Sequence, residues 1–92
     1  DTGIGGRVSE AVGVKLKKLS QTNQVLCVTH QPQIARFADS HLAVQKEVIK
    51  GHTEVSVEKL DRGARVEEIA RMLTGTEITD SARRHAKELL KI

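Results

Sequence analysis

Apolar and polar positions follow helical and strand periods along the chain, and the most apolar stretch governs how the rest is interpreted. Val25–Val28 places four apolar residues in a row between Gln24 and Thr29. A short apolar run of this kind, with two valines, is typical of a strand buried on both faces, which belongs to a parallel sheet covered by helices. The pattern therefore predicts a buried strand over residues 24–30 and an α/β fold.

Helical periodicity flanks this predicted strand on both sides. Apolar residues recur on one face of Arg7–Leu19, where Gly13 is compatible with close packing against a neighbour. A short helix is predicted from Pro32 to about Ala38, because proline favours the first helical turn. Two more helices are predicted, one from about Arg62 to Leu73 and a last one with Thr79 as its N-cap. Their inward-facing residues are predicted to be Val66, Ile69, Ala70, Leu73, Ala82, Ala86, Leu89 and Leu90, and Glu67 is predicted to pair with Arg71.

A β-hairpin is predicted between the second and third helices. Strands over 41–49 and 53–58 are joined by Lys50, Gly51 and His52, which form the predicted turn. Val55 and Val57 alternate with polar residues, which indicates a ribbon with one solvated face. The hairpin is therefore expected at the periphery of the parallel sheet.

Composition limits the chain to one small domain with an aliphatic core. Hydrophobic residues make up 38% of the 92 residues, and Phe37 is the only aromatic one. A formal net charge of +3 permits a nucleic-acid partner but does not require one. The single cysteine, Cys27, excludes a disulfide framework and is predicted to be a core residue in a protein of a reducing compartment. No apolar run has the length of a membrane span.

The candidate chemistry centres on His30. It lies at the carboxyl end of the predicted strand, beside the start of a helix, where open α/β sheets bind ligands. An imidazole there can donate a hydrogen bond to a phosphate oxygen. Residue type and position alone favour a histidine that only caps the helix or bonds a backbone carbonyl, so both interpretations stay open at this point. His41, His52 and His85 lack metal-ligand spacing and are predicted to lie at the surface.

Two charged or glycine-rich segments have a simpler interpretation. Asp1–Gly6 is rich in glycine, but without a preceding strand it is predicted to be a turn rather than a phosphate cradle. A glycine loop normally joins two elements, so we expect that the chain is truncated at its N-terminus. The basic residues of the last helix are predicted to form a solvated face, because no aromatic residue is available for base stacking; they are Arg83, Arg84, Lys87 and Lys91.

Taken as a set, these residues resemble a known family. Asp1–Gly6, followed by a helix and then by Gln24–Ala35, is similar to the C-terminal part of the RecN family of bacterial DNA-repair ATPases, which belong to the SMC and ABC-type group. The similarity continues through Ala64–Leu73 and Ile78–Asp80 into the last helix. It implies that residues 1–92 are the C-terminal segment of an ATPase head, with a fold of the P-loop α/β type.

The resemblance also implies roles for two residues. Asp1 matches the D-loop aspartate, which contacts the nucleotide site of the opposing head in a dimer, and His30 matches the switch histidine that senses the γ-phosphate of ATP and helps to position the attacking water. The implied cofactors are ATP and Mg²⁺, with the Mg²⁺ ligands expected upstream of this chain. The implied partners are a second head and DNA, with no membrane, in recombinational repair of double-strand breaks. The expected location is the bacterial cytoplasm, in association with the nucleoid.

The family's Walker A loop, Q-loop, signature motif and Walker B carboxylates match nothing in this sequence. Because phosphoryl transfer needs a phosphate cradle and magnesium ligands, these 92 residues alone are expected to bind nucleotide weakly or not at all. An alternative from another class stays open: a small stand-alone basic α/β module that binds nucleic acid or a protein.

Overall fold

The computed structural model describes residues 5–91 and contains four helices and one β-hairpin over that range. Asp1, which the resemblance places in a D-loop, lies outside the described residues. The elements are α1 (Gly6–Leu19), α2 (Pro32–Ala35), β1 (Leu42–Ile49), β2 (His52–Lys59), α3 (Arg62–Thr74) and α4 (Asp80–Leu90). The prediction of an α/β chain is therefore confirmed, and each predicted helix is present; α2 ends at Ala35, three residues before the predicted end at Ala38.

Helices α3 and α4 are bounded by residues that satisfy their free backbone groups. The Asp61 carboxylate accepts the Ala64 N–H at 2.8 Å, so Asp61 is the N-cap of α3. Gly75 ends α3 in the left-handed conformation at φ 79°, where glycine has no steric penalty. The Thr79 hydroxyl accepts the Ala82 N–H at 3.0 Å at the start of α4, as the sequence predicts.

The core lies where α3 packs on α4 and on α2. Small alanines on α4 allow close contact with the apolar stripe of α3, whose Ile69 and Ala70 are fully buried. The buried members are Ala35, Val66, Ile69, Ala70, Ala82 and Ala86, with Leu73, Ile78, Leu89 and Leu90 packed at the edge. The predicted inward-facing residues are therefore confirmed.

Helix α1 packs on α2 through its smallest residues. Ser9 and Gly13, one helical turn apart, are buried, whereas Val8 and Leu19 are more than half exposed. A Cβ atom on Gly13 would lie 2.3 Å and 2.6 Å from two ring atoms of Phe37 and 3.2 Å from the Gln33 carbonyl oxygen. The close packing predicted at Gly13 is confirmed, but the predicted apolar face of α1 is largely exposed within the described chain.

The hairpin matches the prediction closely. Lys50 and Gly51 form a two-residue turn with φ angles of 48° and 82°, the type I′ geometry that suits the twist of two antiparallel strands. Ala43 is the only buried residue of the two strands. One face is apolar and still exposed among the described residues; it carries Leu42, Val44, Val48, Val55 and Val57.

The predicted buried strand over residues 24–30 is not formed. Leu26 is 84% exposed, Val28 is 94% exposed, and Cys27, predicted as a core residue, is exposed as well. Within residues 5–91 the sheet consists of β1 and β2 alone, so this segment has no neighbouring strand. A parallel inner strand needs partners on both edges and helices on both faces, and the described chain supplies neither.

Three further findings complete the architecture. The predicted Glu67–Arg71 pair is wrong: Arg71 pairs with Glu68, and Glu67 accepts from Arg83 Nε of α4 at 2.8 Å. The Cα radius of gyration is 14.2 Å, above the roughly 12 Å of a compact domain of this length. No described helix combines the length and apolar character that a membrane crossing requires.

We predict that Gly13→Ala lowers the free energy of unfolding by about 1–3 kcal/mol, because the added methyl group must displace the Phe37 ring or separate α1 from α2. Urea denaturation measures the change. Gly63→Ala is the matched control: its Cβ would lie 3.7 Å from the nearest neighbouring atom, so we expect no loss there. Equal stability of the two variants would contradict the packing described for Gly13.

Candidate functional site

The segment that the sequence singles out lines a broad cleft. Gln24–His30 forms one wall of a cavity of about 920 Å³. Val44 and Val57 of the hairpin form another wall, and Met72 and Gly75 line the end formed by α3. An apolar segment, an apolar patch of the hairpin and the predicted site histidine therefore surround one space.

His30 is held in place by the turn that starts α2. The Gln31 backbone N–H donates to Thr29 Oγ1 at 3.0 Å. The Gln31 carbonyl accepts the N–H groups of Ile34 and Ala35 at 3.1 Å and 3.0 Å, with proline at the first helical position. His30 therefore lies immediately before a helix, as predicted, and it is exposed at the edge of the cleft.

Ser9 connects this turn to α1, and sequence reasoning missed it. The Ser9 hydroxyl, on a residue that is 0% exposed, donates to the side-chain oxygen of Gln31, the residue after His30. Gln31, to which no role is assigned from sequence, thus anchors the turn. The available signal was the spacing of Ser9 and Gly13, because two small residues four positions apart share a helix face and permit a close approach.

Two arginines fix α2 against its neighbours. Arg65 Nη2 donates to the carbonyls of Ala35, Arg36 and Ala38 at 3.3, 3.3 and 2.6 Å. These hydrogen bonds satisfy backbone carbonyl groups at and just after the C-terminal end of α2. The Arg36 guanidinium pairs with Glu10 of α1. Because α2 has only four residues, these contacts give it the rigidity that its own length cannot provide.

Arg36 makes two more contacts that join the helices. Its Nη1 donates to the Leu89 carbonyl of α4 at 3.3 Å, and its guanidinium lies 4.2 Å from the centre of the Phe37 ring. The side chain is only 15% exposed. Arg36 therefore ties α1, α2 and α4 together beneath the turn that carries His30.

His41 is half-buried, so its predicted place at the surface is wrong. It precedes β1, and its Nδ1 is buried without a hydrogen-bond partner among the described residues. Burial lowers the pKa of His41 below the usual 6.5; the charge of Arg65 lowers it further, and Glu68 opposes the shift. The folded state thus favours the neutral imidazole.

The remaining histidines agree with the prediction. His52 is exposed and lies 3.1 Å from Glu54 Oε1, and His85 is exposed on α4. Over residues 5–91, no three side chains of the metal-binding types cluster closely enough to hold an ion.

We predict that the free energy of unfolding falls as the pH drops below about 6.5. The folded-state pKa of His41 is depressed, so the unfolded chain binds the proton more readily and is favoured by acid; above the unfolded pKa the contribution is fully present. Urea denaturation from about pH 8 to pH 5 measures this slope. His41→Gln is expected to flatten it, whereas the exposed His85→Gln leaves it unchanged; an identical slope in both variants would refute the assignment.

Comparison with known proteins identifies the relatives of this chain. No protein-family model matches it. DNA repair protein RecN of Bacillus subtilis is 50% identical over 91 residues, and RecN proteins of Rickettsia felis and Vibrio cholerae are each 47% identical over 92 and 90 residues. These alignments cover 98–100% of this chain, which spans only 16–17% of the relatives' own length. The predicted resemblance is confirmed: along nearly its whole length, this chain is similar to a segment of the DNA repair protein RecN.

Proposed function

We propose that this chain is part of a RecN-like repair ATPase, in which residues 24–30 form an inner strand of the head and His30 reads the γ-phosphate of ATP. The single observation that carries the proposal is the state of the apolar segment. Leu26 and Val28 are almost fully exposed, although their sequence is that of a doubly buried strand. This exposure is explained if strands from the rest of a longer RecN-like protein pair with residues 24–30.

The surroundings of His30 support its part in this proposal. The histidine follows the predicted strand directly and precedes a helix whose start is anchored to the buried Ser9 through Gln31. A ligand at the carboxyl edge of the completed sheet would therefore meet an imidazole in a defined place. An imidazole donor to a phosphate oxygen there orients the transferred group or the attacking water, the one task of phosphoryl transfer that this segment is equipped to perform.

Other parts of the proposed site come from the resemblance to RecN. Asp1 is proposed to contact the nucleotide of an opposing head, and Mg²⁺ is proposed to bind carboxylates outside this chain. ATP would then hold two heads together, and hydrolysis would release them during the repair of DNA double-strand breaks in the bacterial cytoplasm. The names of the relatives, which are DNA repair proteins, support the repair role.

The alternative of a self-sufficient binding module has less support. A stand-alone domain would be expected to bury its most apolar residues, yet α1, the segment 24–30 and the hairpin all expose valine or leucine side chains. We therefore retain the ATPase proposal as the main one.

We predict that His30→Ala, in the full-length protein that carries this chain, lowers kcat for ATP hydrolysis by about 10²-fold while changing nucleotide affinity much less. The reason is that a group aimed at the reacting phosphate acts mainly in the transition state. Steady-state hydrolysis and nucleotide titration measure the two effects. The exposed His85→Ala is the control, and equal losses of kcat and affinity in the His30 variant would count against the role.

We also predict that Val28→Asp destabilises the full-length protein by several kcal/mol but has little effect on the 92-residue chain. A carboxylate is harmless on a residue that is 94% exposed, whereas burial in an inner strand leaves it unpaired. Gln24→Asp, in the same segment, is the control and should be tolerated in both. If Val28→Asp lowers the free energy of unfolding of the full-length protein no more than Gln24→Asp does, the inner strand is excluded.

A further inference from the structure

A second cleft, whose lining does not include His30, concentrates positive charge. It has a volume of about 520 Å³ and lies where α1 and α2 meet the start of α3 and the end of α4. Five cationic side chains line it, and two carboxylates, Asp39 and Asp61, oppose them. The cations are Lys17, Arg36, Arg62, Arg65 and Lys91. The lining therefore has an excess of three positive charges, as many as the formal net charge of the whole chain. We call this feature the basic cleft.

Three of these cations already have structural partners. Lys17 pairs with Asp39, Arg36 pairs with Glu10, and Arg65 donates to three carbonyls at the end of α2. These contacts hold the three side chains in place, and Glu10 is the only carboxylate among these partners in the range 5–91 that lies outside the lining. The carboxylate of Asp61 is directed to the Ala64 N–H as the α3 N-cap.

The other two cations, one of which is the C-cap residue of α4, have side chains that form none of the salt bridges found over residues 5–91. Arg62 and Lys91 are both exposed. They come from opposite ends of the chain's last third, the first residue of α3 and the residue after α4, yet they line the same cleft. Two uncommitted cations above a rigid basic floor are the arrangement that binds phosphate groups.

The surroundings also indicate which phosphate ligand fits. Phe37 is the only aromatic residue of the chain and lies in the cleft lining, but Arg36 covers its ring at 4.2 Å. Stacking of unpaired bases is therefore disfavoured, and contacts are limited to the backbone. We propose that the basic cleft binds the phosphate backbone of duplex DNA through Arg62 and Lys91, without reading sequence.

This inference depends on the proposed repair function only in taking DNA as the polymer. The basic cleft adjoins the His30 cleft and shares Lys17, Phe37, Ala38 and Asp39 with it, but Arg62 and Lys91 line only the basic cleft and His30 lines only the other. Variants of these three residues therefore test the two proposals independently. DNA binding without nucleotide tests the basic cleft, and ATP hydrolysis without DNA tests His30.

The test is the salt dependence of duplex DNA binding by the full-length protein, with the double variant Arg62→Gln and Lys91→Gln. Loss of two phosphate contacts is expected to reduce the slope of log affinity against log salt by about 1.8 and to weaken binding about tenfold at moderate salt. Hydrolysis of ATP without DNA should be unchanged.

The matched control is the double variant Arg84→Gln and Lys87→Gln, which removes the same charge from exposed residues of α4 outside the basic cleft. A slope that changes equally in both double variants, or in neither, would overturn the proposal, since only general charge would then matter. Inorganic phosphate at constant ionic strength is the final arm. Binding of inorganic phosphate that depends on Arg62 and Lys91, together with a salt slope for DNA that the double variant leaves unchanged, would instead identify a site for free anions and overturn the assignment to DNA.

Discussion

An extended apolar segment is stabilised as an inner strand only when neighbouring strands pair with its backbone and other elements cover its side chains, and this constraint governs residues 24–30. Here the segment has the sequence of an inner strand but no neighbouring strand within the described chain. The outer face of α1 and one face of the hairpin also carry valine side chains that are exposed to solvent. Three apolar surfaces on separate elements are thus exposed within residues 5–91, and the head that we propose would supply strands to cover the segment 24–30.

The parts that are well packed explain why the exposed segment still ends at a defined place. The core of α3 and α4 holds α2 through Ala35 and through the contacts of Arg65 with the end of that helix. Helix α1 is joined to α2 by the close approach at Gly13 and by the hydrogen bond from Ser9 to Gln31. His30 is therefore attached to a rigid frame even though the residues before it are not buried.

Local signals were sufficient for much of this fold. Asp61, Thr79 and Gly75 mark helix ends by chemistry that acts within a few residues, and the Lys50–Gly51 turn follows from its own backbone geometry. The predictions that failed are those of burial, which depends on residues far away in the sequence. Burial of Leu26 or Val28 would need neighbouring strands, which residues 5–91 do not supply. The lowered pKa of His41 reflects its burial in the fold and the charge of Arg65, more than twenty residues away in the sequence. Ser9 was missed because a polar residue inside a helix is normally assigned to the solvated face.

The same distinction applies to the candidate sites. The position of His30 before a helix follows from sequence, whereas the basic cleft does not, because Lys17, Arg62 and Lys91 are far apart in the chain and meet only in the fold. The most direct test of the central claim is amide hydrogen exchange at Leu26, Cys27 and Val28 in the full-length protein. Our account predicts strong protection there and fast exchange in the 92-residue chain. Equally fast exchange in both would contradict the inner strand on which the role of His30 depends.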